Sequence, residues 1–166
     1  IQSIERSDSI SLAELADEVC CDLASIADQK KVELIQEEGD CTVTGSYLLL
    51  YRAVYNLVEN AIKYNHSGGK VTVKISQTKA LSAAHSKPTD YALVEVTDTG
   101  IGISPEFQEK IFDPFFRVDK SRSRAMGGAG LGLALVNEIA RQHGGQVKVL
   151  ASSEQGSTIA LVLPLS

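Results

Sequence analysis

The stretch from residue 46 to residue 64 constrains the fold of this chain most, because its apolar residues have helical spacing and its polar residues cluster beside them. At about 100° of turn per residue, the apolar side chains fall into one arc. They are Leu50, Ala53, Val54, Leu57, Ala61 and Tyr64. Asn56, Asn60 and Lys63 lie together along one edge of that arc. The pattern predicts an amphipathic helix whose apolar side packs on a core and whose polar edge lines a pocket.

The chemistry of this polar edge suits a metal ion and a phosphate. Amide oxygens such as those of Asn56 and Asn60 are ligands for a hard cation such as Mg²⁺, and the Lys63 ammonium suits a phosphate. Asparagine is also a mediocre helix former, so its appearance twice on one edge calls for a reason. The alternative interpretation is an ordinary amphipathic helix that carries asparagines by chance.

Composition limits the class of protein. The 166 residues suffice for one domain with a sizeable core. The chain begins with Ile1 and its only methionine is Met126, so we expect a piece of a longer protein. A net charge of -5 argues against a nucleic-acid surface. The cysteines have no metal-ligand spacing, which favours reduced thiols and a cytoplasmic location. No apolar run reaches the roughly 20 residues that cross a bilayer.

Periodicity along the chain predicts a fold of the α+β class. Helical spacing predicts helices from Ser11 or Leu12 to about Lys30, over 46–65 and over 131–143. Alternating residues predict strands at 9–12, 32–36, 41–44, 70–77, 91–97, 146–150 and 157–163. A polar loop over 78–90 has no assigned function. The expected architecture is a two-layer α/β sandwich, with a mixed, mostly antiparallel sheet of about five strands covered on one face by three helices.

Asp98 ends one of these strands and opens a turn that contains two glycines. The turn reads Asp98-Thr99-Gly100-Ile101-Gly102-Ile103. A carboxylate at a strand end can project into a cleft and accept a hydrogen bond from an exocyclic amine. Gly100 and Gly102 let the backbone bend and let a flat ligand come close. The alternative is an Asx-type turn at the strand end.

A second glycine-rich stretch, 127–133, runs from a long loop into the third helix. Its backbone N–H groups and the start of the helix favour an anion such as phosphate. It is neither a Walker A loop nor the dinucleotide fingerprint, because the required spacing and a preceding strand are missing. Between the two glycine stretches, 112–124 combines aromatic and basic residues. Arg117 is the best candidate there for neutralising phosphate charge, whereas Lys120 and Arg124 are equally consistent with solvated residues.

Taken in order, these motifs closely resemble the catalytic ATP-binding domain of bacterial sensor histidine kinases, which has the Bergerat fold shared with gyrase. The motifs are the asparagine helix, the Asp98 turn, the aromatic-basic loop, the glycine-rich helix start and Gly156-Ser157-Thr158. The resemblance covers about 11–165. It implies that 9–166 form the ATP-binding domain with a long ATP lid, and that 1–8 are a linker or the end of a preceding dimerisation helix.

The resemblance also implies a role for each motif residue. Asn60 would hold Mg²⁺, Asn56 and Lys63 would assist with the phosphates and the metal, and Asp98 would bind the adenine amine. The other implied nucleotide contacts are Tyr64, Gly100, Gly102, Ile103, Thr158 near the base, and Gly128, Gly130, Leu131, Gly132 and Leu133 around the lid. Arg117, with Arg122 or Arg124, would reach the γ-phosphate.

The activity implied by the resemblance needs further domains. Histidine kinases pass the γ-phosphoryl group of ATP to a histidine on dimerisation helices and then to an aspartate of a response regulator. His66, His85 and His143 lack the surroundings of such an acceptor, so we expect each to be structural or solvated. We expect this chain alone to be a monomer, and the parent protein to be anchored in the inner membrane with this domain in the cytoplasm.

Asn56 separates the kinases from other proteins of this fold. In the ATPases and serine kinases of the fold, the residue four before the Mg²⁺ asparagine is a glutamate that activates a nucleophile. An amide cannot take that proton, so we predict slow ATP hydrolysis. We predict that Glu59 instead pairs with Lys63 on the helix surface. A stand-alone ATPase or serine kinase is the alternative function.

Overall fold

Three α-helices and seven strands organise the part of the chain that the computed structural model describes, residues 8–80, 89–113 and 129–165. The helices are α1 (Leu12–Lys30), α2 (Tyr47–Lys63) and α3 (Ala129–Gln142). The strands are β1 (Asp8–Ser11), β2 (Glu33–Gln36), β3 (Thr42–Gly45), β4 (Lys70–Ala80), β5 (Thr89–Asp98), β6 (Gln146–Ser153) and β7 (Gly156–Pro164). Two short 3₁₀ helices, Pro105–Phe107 and Lys110–Phe112, follow β5. No helix within these ranges is both long and apolar enough to span a membrane.

Five of the strands form the main sheet, in the order β2-β4-β5-β7-β6. β2 lies parallel to β4, and the remaining neighbours are antiparallel. β1 and β3 pair separately as a two-stranded antiparallel ribbon. The prediction of a mixed, mostly antiparallel sheet is confirmed. Because β1 begins at Asp8, that residue belongs to the fold and not to a preceding linker.

The helices cover one face of the sheet because each has one apolar side. α2 is the central helix, since it packs against both α1 and α3. Its buried residues are Leu50, Ala53, Val54, Leu57, Val58, Ala61 and Ile62. Alternate residues of β4 and β5 meet the helices, namely Val71, Val73, Ile75, Ala92, Val94 and Val96. The predicted two-layer sandwich of the α+β class is confirmed.

The hairpin of β4 and β5 is longer than the sequence indicated. β4 continues to Ala80 and β5 begins at Thr89, and the two residues pair with each other. The prediction of a loop over 78–90 was therefore wrong at both ends. Backbone pairing continues through polar residues there, and apolar alternation is a poor guide to a solvated part of a hairpin.

His143 joins the end of α3 to the start of α2. Its Nδ1 lies 2.8 Å from the Ile139 carbonyl oxygen, and its Nε2 accepts the Ser46 N–H at 3.2 Å. A carbonyl can only accept and a backbone N–H can only donate, so the ring carries its proton on Nδ1. His143 is 3% exposed, which confirms a structural role. His66 is exposed, and His85 lies outside the described residues.

Candidate functional site

Asp98 lies at the end of β5, on the face of the sheet that the helices cover. Its register partner on β7 is Ser157. Oδ1 of Asp98 accepts hydrogen bonds from the Gly100 N–H at 2.9 Å and the Ser157 N–H at 3.3 Å, and Oδ2 accepts the Ser157 hydroxyl at 3.0 Å. The bond from Gly100 is the Asx-type turn that the sequence offered as an alternative. Donors from two segments thus hold the carboxylate in one orientation.

Partial burial sets the proton affinity of this carboxylate. Burial raises the pKa of Asp98 above its usual value, because a desolvated carboxyl group favours its neutral form. The hydrogen bonds from Gly100 and Ser157 act against this shift. An ionised carboxylate can accept more hydrogen bonds than these three. A half-buried acceptor of this kind suits recognition of an amine on a flat ligand.

Thr158 lies on the other face of the sheet, which corrects the role implied for it. Side chains alternate between the two faces of a strand, so Thr158 and Asp98 project in opposite directions. Oγ1 of Thr158 is 2.9 Å from Oγ1 of Thr97, its register partner. The hydroxyl that meets Asp98 belongs to Ser157, which is 7% exposed. Only the register of β5 against β7 distinguishes the two residues of the motif.

The polar edge of α2 lies where buried surface gives way to exposed surface. Asn56 and Asn60 are half-buried, and Lys63 is exposed. Nζ of Lys63 lies 3.8 Å from Oε1 of Glu59, so the predicted pairing of these two residues is confirmed. The ammonium of Lys30 donates to the Lys63 carbonyl, which caps the end of α2 with the end of α1.

Backbone contacts bring the end of α2 to the Asp98 turn. The Ile101 N–H donates to the Tyr64 carbonyl at 3.2 Å. A Cβ at position 100 would lie 2.4 Å from the same oxygen, so this close approach requires Gly100. Two segments that the sequence assigned to one site, 56–64 and 98–103, are therefore adjacent in the fold.

The other side of the turn rests on the hairpin of β6 and β7. Gly102 has a φ of 74°, and a Cβ there would lie 2.0 Å from the Ser153 carbonyl oxygen. The Ile103 N–H donates to Oγ of Ser152 at 2.7 Å. The turn is thus held between a helix end and a hairpin, with its own backbone in contact with both.

The residues expected around the lid are only partly described. Outside the described ranges lie Arg117, Arg122, Arg124 and Gly128. Gly130, Leu131 and Gly132 lie in the first turns of α3, which begins at Ala129 and so starts earlier than predicted. Leu133 is buried in the core that α3 shares with its neighbours.

Four polar residues that hold the turn escaped the sequence reasoning. They are Asn65, Thr99, Ser152 and Ser157. Asn65, Thr99 and Ser157 each lie within or next to a predicted motif, and this proximity is the one feature of the sequence that could have indicated their role. Ser152 has no such signal, because its contact with the turn depends on how β6 returns along β7.

Comparison with known proteins identifies the family. Residues 45–166 match the family described as histidine kinase-, DNA gyrase B- and HSP90-like ATPase, and the chain belongs to it. Among its relatives is the sensor-like histidine kinase SenX3 of Mycobacterium tuberculosis (strain ATCC 25618 / H37Rv), 41% identical over 139 residues. The match covers 83% of this chain and 32% of that protein, so the chain spans about a third of the length of this relative.

Solved structures share the fold, among them that of a sensor histidine kinase. The mycobacterial sensor histidine kinase MprB is 29% identical with a TM-score of 0.72, over 95% of this chain and 96% of that one. Full-length ShkA in complex with AMPPNP is 26% identical with a TM-score of 0.79, over 99% of this chain and 32% of that one. The resemblance to the catalytic ATP-binding domain of histidine kinases is confirmed at the level of family and fold.

Proposed function

We propose that this chain is the Mg-ATP-binding catalytic domain of a sensor histidine kinase, and that it donates the γ-phosphoryl group of ATP to a histidine outside the chain. The observation that carries the proposal is the Asp98 turn, to which the end of α2 and the β6–β7 hairpin are both bonded. Membership of an ATPase and kinase family supports a nucleotide site there. The similar protein ShkA was solved with AMPPNP.

The base would bind at Asp98. Its carboxylate would accept a hydrogen bond from the adenine amine, with Gly100 and Gly102 allowing close approach of the flat ring and Tyr64 packing beside it. The fixed donors on the carboxylate favour this role, because they orient the acceptor before a ligand arrives and so reduce the cost of binding.

The donor chemistry of α2 fits a magnesium ion that is bound together with phosphates. Among the residues described, no group of three or more His, Cys, Asp or Glu side chains could hold a metal by itself. Mg²⁺ at nucleotide sites takes most of its ligands from water and phosphate oxygens and only one or two from the protein. Asn60 would supply an amide oxygen, and bound Mg²⁺ would neutralise phosphate charge. Asn56, Lys63, Arg117 and Arg122 would contact the phosphates.

The part of this chain in the reaction would be positioning and charge neutralisation, since phosphoryl transfer asks little covalent chemistry of a protein. Asn56 cannot accept a proton, and Glu59 pairs with Lys63 at the helix surface. Slow hydrolysis by the chain alone follows. The alternative, a stand-alone ATPase or serine kinase, requires brisk ATP hydrolysis or phosphorylation of an added peptide, with Glu59→Gln abolishing that activity.

The proposed transfer depends on other domains and partners. Dimerisation helices outside this domain would carry the acceptor histidine, and a response regulator would receive the phosphoryl group next. The domain would work in the cytoplasm as part of a parent protein anchored in the inner membrane, and by itself it would be a monomer.

Calorimetric titration with a non-hydrolysable ATP analogue, with and without Mg²⁺, tests the proposal. Asp98→Asn should weaken binding at least about 10-fold, or ~1.4 kcal/mol, because an acceptor becomes partly a donor. Asn60→Ala should abolish the dependence of binding on Mg²⁺. Asp28→Asn changes the same charge on the exposed side of α1 and should bind like the wild type. Absence of binding by the wild type would contradict the proposed function, and equal affinity of Asp98→Asn would contradict the adenine contact.

A further inference from the structure

Asn65 is a buried polar residue whose hydrogen bonds join separate segments of the chain. It follows the C-terminal end of α2 and is 5% exposed. Its Nδ2 donates to the Lys70 carbonyl at 2.9 Å. Its Oδ1 accepts the His66 N–H at 2.9 Å and the Thr99 hydroxyl at 3.2 Å. The side chain therefore bonds the end of α2 to the start of β4 and to the residue that follows Asp98.

Thr99 completes this connection. Its Oγ1 accepts the Lys70 N–H at 2.9 Å, and its own N–H donates to the Lys70 carbonyl at 3.2 Å. Because Thr99 follows Asp98 directly, bonds that hold Thr99 also hold the backbone of Asp98. The bonds between Asn65, Lys70 and Thr99 therefore contribute to the position of the carboxylate relative to α2, together with the bond from the Ile101 N–H to the Tyr64 carbonyl.

Two glycines let the backbone close around these groups. A Cβ at Gly69 would lie 2.1 Å from Oδ1 of Asn65 and 2.8 Å from Oγ1 of Thr99. A Cβ at Gly100 would lie 2.4 Å from the Tyr64 carbonyl oxygen. A side chain at either position would collide with these groups, so the close approach of the segments requires both glycines.

We propose that Asn65 is a positioning residue that fixes the Asp98 carboxylate relative to the polar edge of α2 and thereby sets the preference of the site for adenine over guanine. This inference rests on the proposed function, because it takes the base to lie at Asp98. Asn65 contacts no ligand in this proposal and acts through Thr99.

The affinity of the protein for ATP relative to GTP reports on this positioning role. Adenine presents an amine to a carboxylate acceptor, whereas guanine presents a carbonyl at the corresponding position of its ring. Displacement of Asp98 therefore weakens ATP binding and leaves GTP binding nearly unchanged, since hydrogen bonds depend steeply on distance and angle. A variant that is merely less stable loses affinity for both nucleotides in the same proportion.

Matched variants separate positioning from stability. Asn65→Leu keeps the approximate size of the side chain and removes its three hydrogen bonds. Thr99→Val replaces the hydroxyl with a methyl group, and Thr99→Ser retains the hydroxyl. Gln36→Leu is the remote control, because Nε2 of Gln36 donates to the Ala13 carbonyl at 3.0 Å, an equivalent bond between β2 and α1.

The experiment measures the dissociation constants of ATP and GTP for each variant, at a temperature where circular dichroism shows it to be folded. The dissociation constant of GTP divided by that of ATP should fall about 10-fold in Asn65→Leu and Thr99→Val, because ATP binding weakens by the effect of one disturbed hydrogen bond. Thr99→Ser and Gln36→Leu should keep the wild-type ratio. If Asn65→Leu does not fold, the difference between the nucleotide ratios of Thr99→Val and Thr99→Ser decides the test. An unchanged ratio in a folded Asn65→Leu or Thr99→Val protein, or an equal loss for both nucleotides, would overturn the proposal.

Amide hydrogen exchange at Gly100 gives a reading that needs no nucleotide, because this N–H donates to the Asp98 carboxylate. Exchange should become faster in Asn65→Leu and Thr99→Val and stay at the wild-type rate in the two controls. Unchanged exchange would overturn the positioning role. Faster exchange in the two variants, together with a wild-type protein that binds no ATP, would support the positioning role and refute the proposed function, so the two failures are distinguishable.

Discussion

Replacement of Ser157 by alanine should destabilise the protein by an amount that depends on pH. The variant loses the hydroxyl that donates to Oδ2 of Asp98 at 3.0 Å. A hydrogen bond to an ionised group contributes about 1.5–3 kcal/mol, and one between neutral groups about 1 kcal/mol. The expected cost is therefore about 2 kcal/mol at neutral pH, where Asp98 is ionised, and about 1 kcal/mol near pH 3, where it is protonated.

The sign of this dependence follows from linkage. Burial already raises the pKa of Asp98 above its usual value of 3.8, and the Ser157 hydroxyl lowers it, so its removal raises the pKa further. The folded state then binds more protons than the unfolded state in the window above pH 3.8, and stability falls as pH rises through that window. The fall should be steeper in Ser157→Ala than in the wild type.

Urea denaturation at about pH 3 and pH 7 measures the effect as a shift of the midpoint at constant slope. Thr158→Val is the matched control, because it removes a hydroxyl that meets the neutral hydroxyl of Thr97, and its cost should be the same at both pH values. An equal cost of Ser157→Ala at the two pH values would refute the assignment of Ser157 as the partner of the carboxylate.

Three further predictions concern the scaffold. His143→Phe should cost about 1–3 kcal/mol in urea denaturation, because the Ser46 N–H loses its acceptor, and a cost below about 0.5 kcal/mol would contradict that contact. Gly156→Ala should cost at least about 2 kcal/mol more than Gly68→Ala in the same assay. Both glycines have positive φ. A Cβ at position 156 would lie 1.9 Å from the Asp98 carbonyl oxygen, whereas a Cβ at position 68 would have no neighbouring atom within 4 Å. Burial and the adjacent Glu18 carboxylate raise the pKa of Tyr47 to about 12. The folded protein therefore keeps the phenol proton where the unfolded chain loses it, and the free energy of unfolding should fall as pH rises from 10 towards 12. Tyr47→Phe should make that fall smaller in urea denaturation over the same pH range.

Local patterns predicted those parts of the fold that depend on local physics. The spacing of Leu50, Val54, Leu57 and Ala61 follows the helical repeat, and these residues are the buried side of α2. Asp98 could be placed at a strand end because an apolar alternating run stops there. The layered α+β architecture followed, since three one-sided helices and an antiparallel sheet have few other ways to bury their apolar faces.

The contacts that complete the candidate site could not be predicted, because they depend on pairing between distant segments. Whether Ser157 or Thr158 meets Asp98 is decided by the register of β5 against β7, and a shift of one residue exchanges their faces. Asn65 looked like the last residue of a helix, and its bond to Thr99 exists only because β4 and β5 pair at that point. A single sequence shows the polar residue but not its partner.

We propose that α2, the Asp98 turn and the start of β7 form one nucleotide site, and an NMR titration with AMPPNP and Mg²⁺ can show whether they do. The side-chain amide signals of Asn60 and the backbone amide signals of Gly100 and Ser157 should shift together and follow a single binding curve. Shifts confined to one of these segments, or separate curves for α2 and the turn, would contradict this proposal.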